Sequence, residues 1–213
     1  MTGHAAAPGL RERKKQRTRD ALVRAALELF TTRGYERTTV DEIVAAVDVS
    51  QRTFFRYFAG KEQVVFAVQE MVEARFVEVL RARPPQEPAF EALRRSVLDA
   101  WDSIGESIEQ YVPVETYMRV FQMIESTPVL LAEHTRRALE TQEETVRIVA
   151  EREGLDPDTD HRPRVAVAAF SGVMQAAGRQ WGAGGDLSVE SMRRLTASLL
   201  DQLEPALAGD WRA

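Results

Sequence analysis

Helical periodicity runs through almost all of the 213-residue sequence, and no segment alternates apolar and polar residues as a strand does. The first clear stripe is Leu22, Ala25, Ala26, Leu29 and Phe30, which Gly34 closes. Proline and glycine breaks then favour helices over about 61–82, 88–106, 113–126, 127–153, 164–181 and 188–207. The sequence therefore predicts an all-α fold of about nine helices.

Charge is distributed unevenly along the chain. The net charge is -5, but residues 1–64 hold 12 Lys or Arg against 8 Asp or Glu, so the acidic excess lies in the remainder. The basic residues concentrate at Arg11, Arg13, Lys14, Lys15, Arg17 and Arg19. Such a run is either a solvated tail or an arm that contacts phosphates, and we assign Arg17 and Arg19 to the second interpretation.

Composition excludes several kinds of site. The chain has no cysteine, and its three histidines are never at paired-ligand spacing, so neither a thiol site nor a zinc site is expected. We find no catalytic constellation and predict that the protein is not an enzyme and needs no cofactor.

The uncharged run 165–178 is shorter than the roughly 18 residues of a membrane span, and no signal-like segment precedes residue 20. A cytoplasmic protein without a membrane partner is the resulting expectation.

The most specific segment is TTVDEIVAAVDVSQRTFFRYF, residues 38–58. Thr39 followed by Glu42 is the spacing of a capping box, which starts a helix of about two turns. Asp48 tolerates the left-handed backbone of a sharp reversal, and Ser50 then caps a second short helix. The side chains predicted to be buried are Ile43, Val44, Val47, Phe54 and Phe58. Together with the preceding amphipathic helix, this pattern predicts a helix-turn-helix.

Periodicity places Gln51, Arg52, Phe55 and Arg56 on the outer face of the second short helix. Arg pairs with guanine, Gln pairs with adenine and an aromatic ring contacts a thymine methyl, so these four are candidate base contacts in double-stranded DNA. Candidate phosphate contacts at helix starts and flanks are Thr39, Ser50, Thr53, Tyr57 and Lys61. The alternative is a helical hairpin that merely exposes two arginines.

Residues 10–66 resemble the DNA-binding domain of the TetR family of transcriptional regulators. The segments AALELFTTRGYERTTVDEIVAAVDVS and QRTFFRYFAGKEQVV carry the resemblance, although Asp48 stands where the family usually has glycine. Residues 1–9 are rich in small residues, which predicts a disordered tail. The resemblance implies a three-helix DNA-binding domain at 10–60 and a ligand-binding and dimerisation domain at 61–213.

By the same resemblance, the protein is expected to be a homodimer that associates through its last two helices. Small residues at Ala166, Ala169, Gly172, Ala176 and Gly178 would allow close helix approach, and Leu195, Leu199 and Leu203 form a stripe in the last helix. Without the family, the same pattern could equally form a core within one chain.

The resemblance also implies a mechanism of regulation: a bound ligand stabilises an arrangement of subunits that no longer fits the operator. The candidate pocket residues are Trp101, Tyr117, Met118, Phe121, Phe170, Met174 and Trp181, which could also be plain core. They favour a small apolar or aromatic ligand. The opening GLRERKKQRTR and the run SQRTFFRYF also resemble an actinobacterial subgroup associated with acyl-CoA-like ligands. A regulator or interaction module without a small-molecule switch is the alternative.

Overall fold

The computed structural model describes residues 9–109 and 111–209, and within these ranges every regular element is a helix. The helices are α1 (Leu10–Arg33), α2 (Val40–Val47), α3 (Gln51–Phe55), α4 (Lys61–Val65), α5 (Ala67–Ala82), α6 (Ala89–Ile108), α7 (Val114–Ser126), α8 (Pro128–Glu153), α9 (Arg162–Gly182), α10 (Val189–Asp201) and α11 (Leu203–Ala208). Single residues, Phe66 and Gln202, separate α4 from α5 and α10 from α11. The predicted all-α class is confirmed, and about nine helices is close to the number found.

The chain forms two compact units that divide between Ala67 and Val68. The reason is that α4 completes the core of the first unit: Val64 and Val65 are buried. The tail predicted at 1–9 lies outside the described residues, apart from Gly9.

In the first unit, α1 buries a wider stripe than its sequence pattern indicated. Leu22, Ala26 and Phe30 are buried as predicted, but so are Val23 and Leu27. Residues 25 and 29 are only half-buried. Both α2 and α4 pack on α1, so two neighbouring helices together cover a broader face than one would.

The second unit has its own core, to which five of its helices contribute. Its buried members are Leu80, Ala92, Leu93, Val146, Ile148, Val149, Val167, Phe170 and Leu200. The rings of Phe76 and Phe170 stack beside it, with centroids 5.8 Å apart and planes 10° from parallel. Across the described ranges, no helix is long and apolar enough to cross a membrane.

Candidate DNA interface and ligand cavity

The start of α2 carries the predicted capping box. The Thr39 hydroxyl accepts a hydrogen bond from the Glu42 backbone N–H at 3.3 Å, and the Thr39 N–H donates to Glu42 Oε2 at 2.9 Å. Arg33 Nη1 lies 2.9 Å from Glu42 Oε1. The pKa of the Glu42 carboxyl is lowered, first by the Thr39 backbone hydrogen bond and less by Arg33. This cap fixes the residue at which α2 begins.

The turn between α2 and α3 is left-handed at Asp48, with φ 54° and ψ 50°. It is the one non-glycine residue with positive φ in the described part of the chain. Ser50 then accepts a hydrogen bond from the Thr53 backbone N–H at 3.2 Å and caps α3. Both local predictions are confirmed, although Val47, expected to be buried, is half-buried at the end of α2.

The outer face of α3 is polar and open. Gln51, Arg52, Phe55 and Arg56 are all exposed, and 53% of the Phe55 surface is accessible. Phe54, by contrast, is fully buried. The Arg56 guanidinium lies 5.0 Å from the centre of the Tyr57 ring, and its Nη2 donates to the Tyr57 hydroxyl at 3.3 Å. Gln51 donates to Asp41 Oδ1, which ties the start of α3 to α2.

Three of the seven predicted phosphate contacts, Ser50, Thr53 and Tyr57, lie in α3 or directly beside it in the chain. Arg17 is exposed on α1, whereas the Arg19 guanidinium packs 5.3 Å from the centre of the Phe58 ring. Thr39 and Ser50 already serve as helix caps, and the Ser50 and Thr53 hydroxyls are 3.0 Å apart. These hydroxyls therefore have structural partners in the free protein.

Lys61 makes internal contacts that the sequence pattern did not indicate. Its Nζ donates to the carbonyls of Tyr35 and Thr38 at 3.0 and 3.3 Å, and it lies 4.2 Å from the centre of the Tyr35 ring. The Tyr35 hydroxyl donates to Glu62 Oε1 at 2.7 Å. Burial and this bond to Glu62 raise the pKa of Tyr35. Lys61 thus joins the start of α4 to the loop after α1.

We expect Lys61→Ala to lower the free energy of unfolding of the first unit by about 1–2 kcal/mol, because two hydrogen bonds and a cation–π contact are lost. Hydrogen exchange of the α1 and α4 amides measures this loss locally. Lys15→Ala is the matched control, since Lys15 is exposed and pairs with Glu12 at 3.5 Å. Equal protection of α4 in both variants would contradict a structural role for Lys61.

A cavity of about 220 Å³ lies in the second unit, with walls from α5 to α10. Four of the seven predicted pocket residues line it: Trp101, Phe121, Phe170 and Met174. Tyr117, Met118 and Trp181 do not line it; they are buried in the packing around it. The Tyr117 hydroxyl donates to Gln69 Oε1 at 3.0 Å, and the Trp181 ring centre lies 5.6 Å from that of Phe121.

The cavity also has polar walls that sequence reasoning missed. Glu73 lies on the α5 face that carries Phe76 and Leu80, three and seven residues further on. On another wall, His134 Nδ1 lies 3.2 Å from Glu125 Oε1, and their side chains are only 18% and 9% exposed. In the sequence, the one sign of this role is that Glu73 interrupts an apolar helical stripe with a carboxylate. No described group of three or more His, Asp or Glu side chains could hold a metal ion.

Each of the two units matches the model of a known protein family. Residues 22–68 match the model of bacterial regulatory proteins of the tetR family, and residues 87–208 match the MftR C-terminal domain. The chain is 41% identical to the HTH-type transcriptional regulator TcmR of Streptomyces glaucescens over 205 residues, which is 96% of this chain and 91% of that protein. The MftR-like domain fits the actinobacterial subgroup that the sequence resembles.

Solved structures share the fold at lower identity. A TetR-family regulator from Syntrophomonas wolfei matches with a TM-score of 0.63 and 16% identity, over 93% of this chain and 99% of the other. The TetR-family repressor FadR of Thermus thermophilus matches with a TM-score of 0.51 and 23% identity, over 92% and 98%. The matched models and relatives are transcriptional regulators, not enzymes. The chain therefore belongs to the TetR family of DNA-binding transcriptional regulators.

Proposed function

We propose that this chain is a homodimeric repressor that acts in the cytoplasm, binds a palindromic operator and leaves it when a small ligand binds. The exposed α3 face supports the DNA contact most directly. Gln51, Arg52, Phe55 and Arg56 point outward from a capped helix whose other face is anchored by Phe54. These side chains have the hydrogen-bonding and apolar groups that read base edges in the major groove.

Phosphate contacts would set the register of α3. We assign this role to Arg17, Arg19, Thr39, Ser50, Thr53, Tyr57 and Lys61. Lys61 uses two of its three N–H groups internally, which leaves one for a phosphate oxygen. Arg17 is exposed on the basic side of α1 and is the best placed to act as a purely electrostatic contact.

An exposed stripe on α9 supports a dimer interface formed by the last helices. Val165, Ala168, Gly172 and Gln175 are all exposed at heptad-like spacing, and Val165 is 66% accessible. Leu195, Leu199 and Leu203 are half-buried on the neighbouring helices. Gly178 belongs to the interior instead, because a Cβ there would lie 3.5 Å from the Phe121 ring. A dimer that reads a palindrome must present its two α3 helices to half-sites about 34–36 Å apart.

Gly172→Leu is expected to weaken the dimer and, with it, operator binding. A Cβ at Gly172 meets nothing within 4 Å in the single chain, so a bulky side chain is tolerated there unless a partner approaches. Gly185→Leu is the control, because Gly185 has equally open surroundings in a loop. Sedimentation equilibrium measures the dimer constant. An unchanged constant for Gly172→Leu would place the interface elsewhere.

The proposed ligand is small and largely apolar or acyl-type, and it would occupy the cavity of the second unit. It must bind the DNA-incompetent arrangement better than the competent one, and the coupling is reciprocal. The FadR structure from Thermus thermophilus is a complex with lauroyl-CoA. Its low identity to this chain supports the fold alone, so the ligand class must come from the cavity itself.

A titration of the protein against the intergenic DNA beside its own gene, with and without a ligand panel, tests this function. Specific binding that a ligand weakens is the expected result. Absence of specific binding would reject the operator assignment. Binding that no ligand alters would favour a DNA-binding regulator or interaction module without a small-molecule switch.

A further inference from the structure

The cavity of the second unit combines flat apolar walls with acidic groups. Phe76 and Phe170, which stack on each other, both line it, and Phe121 and Trp101 contribute further aromatic surface. An engineered apolar cavity of about 150 Å³ binds benzene, so about 220 Å³ has room for two fused rings.

Glu73 is an acidic group on these walls whose hydrogen bonds are weak. Its carboxylate accepts hydrogen bonds from Gln69 Nε2 at 3.4 Å and from Thr141 Oγ1 at 3.3 Å, which are both long. No described Lys or Arg side chain forms an ion pair with it within 4 Å. A carboxylate accepts about four hydrogen bonds, so Glu73 retains capacity for a further donor.

The groups around Glu73 favour a ligand that donates a hydrogen bond to the cavity wall. Burial raises the pKa of Glu73, while Gln69, His134, Thr141 and Arg137 oppose that rise. The Arg137 guanidinium is engaged with Glu70 and Glu133. Glu125, bonded to His134, adds a second carboxylate to the walls. Both carboxylates are half-buried, and Arg179 and His134 also line the cavity, where His134 is bonded to Glu125. A ligand with an O–H or N–H group would satisfy Glu73, whereas an anion placed beside Glu73 would meet an unfavourable charge.

We propose that Glu73 is the specificity-determining residue of this cavity and that the ligand is an aromatic molecule of about two fused rings. The ligand is neutral or cationic and donates a hydrogen bond to the Glu73 carboxylate. Its rings lie against Phe76, Phe170 and Phe121. This inference rests on the proposed ligand-responsive function and chooses between its ligand classes: it favours an aromatic hydrogen-bond donor over a fatty acyl anion.

Isothermal titration calorimetry with three probes of equal ring size tests the inference. The probes are 2-naphthol, which is a neutral donor, 2-naphthylmethylamine, which is a cationic donor, and 2-naphthoate, which is an anion. The full-length protein should bind at least one donor probe about tenfold or more tightly than 2-naphthoate. The two donor probes distinguish a hydroxyl ligand from an ammonium ligand.

Glu73→Gln, which keeps the side-chain shape, should remove most of this preference. Glu78→Gln is the matched control on the same helix, because Glu78 is exposed, pairs with Arg75 and lies outside the cavity. It should leave the preference unchanged. Thermal melts of both variants check that folding is retained.

Equal or tighter binding of 2-naphthoate, an unchanged preference in Glu73→Gln, or binding of none of the probes would overturn the inference. Operator binding by the same preparation is measured separately. Probe preference without DNA binding would reject the proposed function and leave the Glu73 assignment standing, and the reverse pattern would reject only the ligand class.

Discussion

Phe54→Ala is expected to destabilise the first unit by about 3–5 kcal/mol, the cost of emptying a fully buried aromatic site. The Phe54 ring lies 5.6 Å from that of Phe58 and 5.4 Å from that of Phe55, so its loss removes the centre of an aromatic cluster under α3. Because α1–α4 belong to a compact unit of their own, amide hydrogen exchange of these helices is the suitable local measurement.

The neighbouring residue provides the control for this substitution. Phe55→Ala removes the same number of atoms from a ring that is 53% exposed, so its effect on exchange should be small. It should instead weaken operator binding, if Phe55 contacts a thymine methyl. Similar exchange in the two variants would show that the buried and exposed faces of α3 are wrongly assigned.

Arg52→Ala and Arg56→Ala are each expected to cost about 1–3 kcal/mol of operator binding, roughly a five- to 150-fold loss, with relaxed preference at one base pair. Arg56 is already held over the Tyr57 ring, so little side-chain freedom is lost when it binds. Arg17→Ala is the control, because a phosphate contact should weaken all sequences alike and reduce the salt slope by about 0.9.

Operators substituted one base pair at a time, measured at several salt concentrations, separate the two kinds of contact. A variant of Arg52 or Arg56 that loses affinity equally for every operator would be a phosphate contact, and our assignment of base contacts would be wrong for it. If Arg17→Ala leaves the salt slope unchanged, the basic segment of α1 is only solvated.

Local sequence signals predicted the caps and the turn of the helix-turn-helix. The capping box at Thr39, the left-handed Asp48 and the Ser50 cap are each set by residues within four positions of one another. Such interactions are determined by side-chain chemistry next to the backbone they bond. Lys61 shows the limit of such local signals, because its hydrogen-bond partners Tyr35 and Thr38 lie more than twenty residues away in the sequence.

The cavity could be predicted only in part, because an apolar stripe looks the same whether it packs against a neighbour or faces a space. Tyr117 and Trp181 have the same periodicity as Phe121 and Phe170, yet only the last two line the cavity. The pattern at Gly178 suited either contact between subunits or packing within one chain, and in the structure a Cβ there would lie 3.5 Å from Phe121 and 3.7 Å from Glu125.

The sequence by itself determined the all-α class, the helix-turn-helix and the outward set of side chains on α3, since helical period and capping act over a few residues. Only the tertiary structure decided that Lys61 bonds within the first unit and that Glu73 faces the cavity of the second. The reason is that a side chain's surroundings depend on which distant helices pack against it, and helical period does not encode that choice.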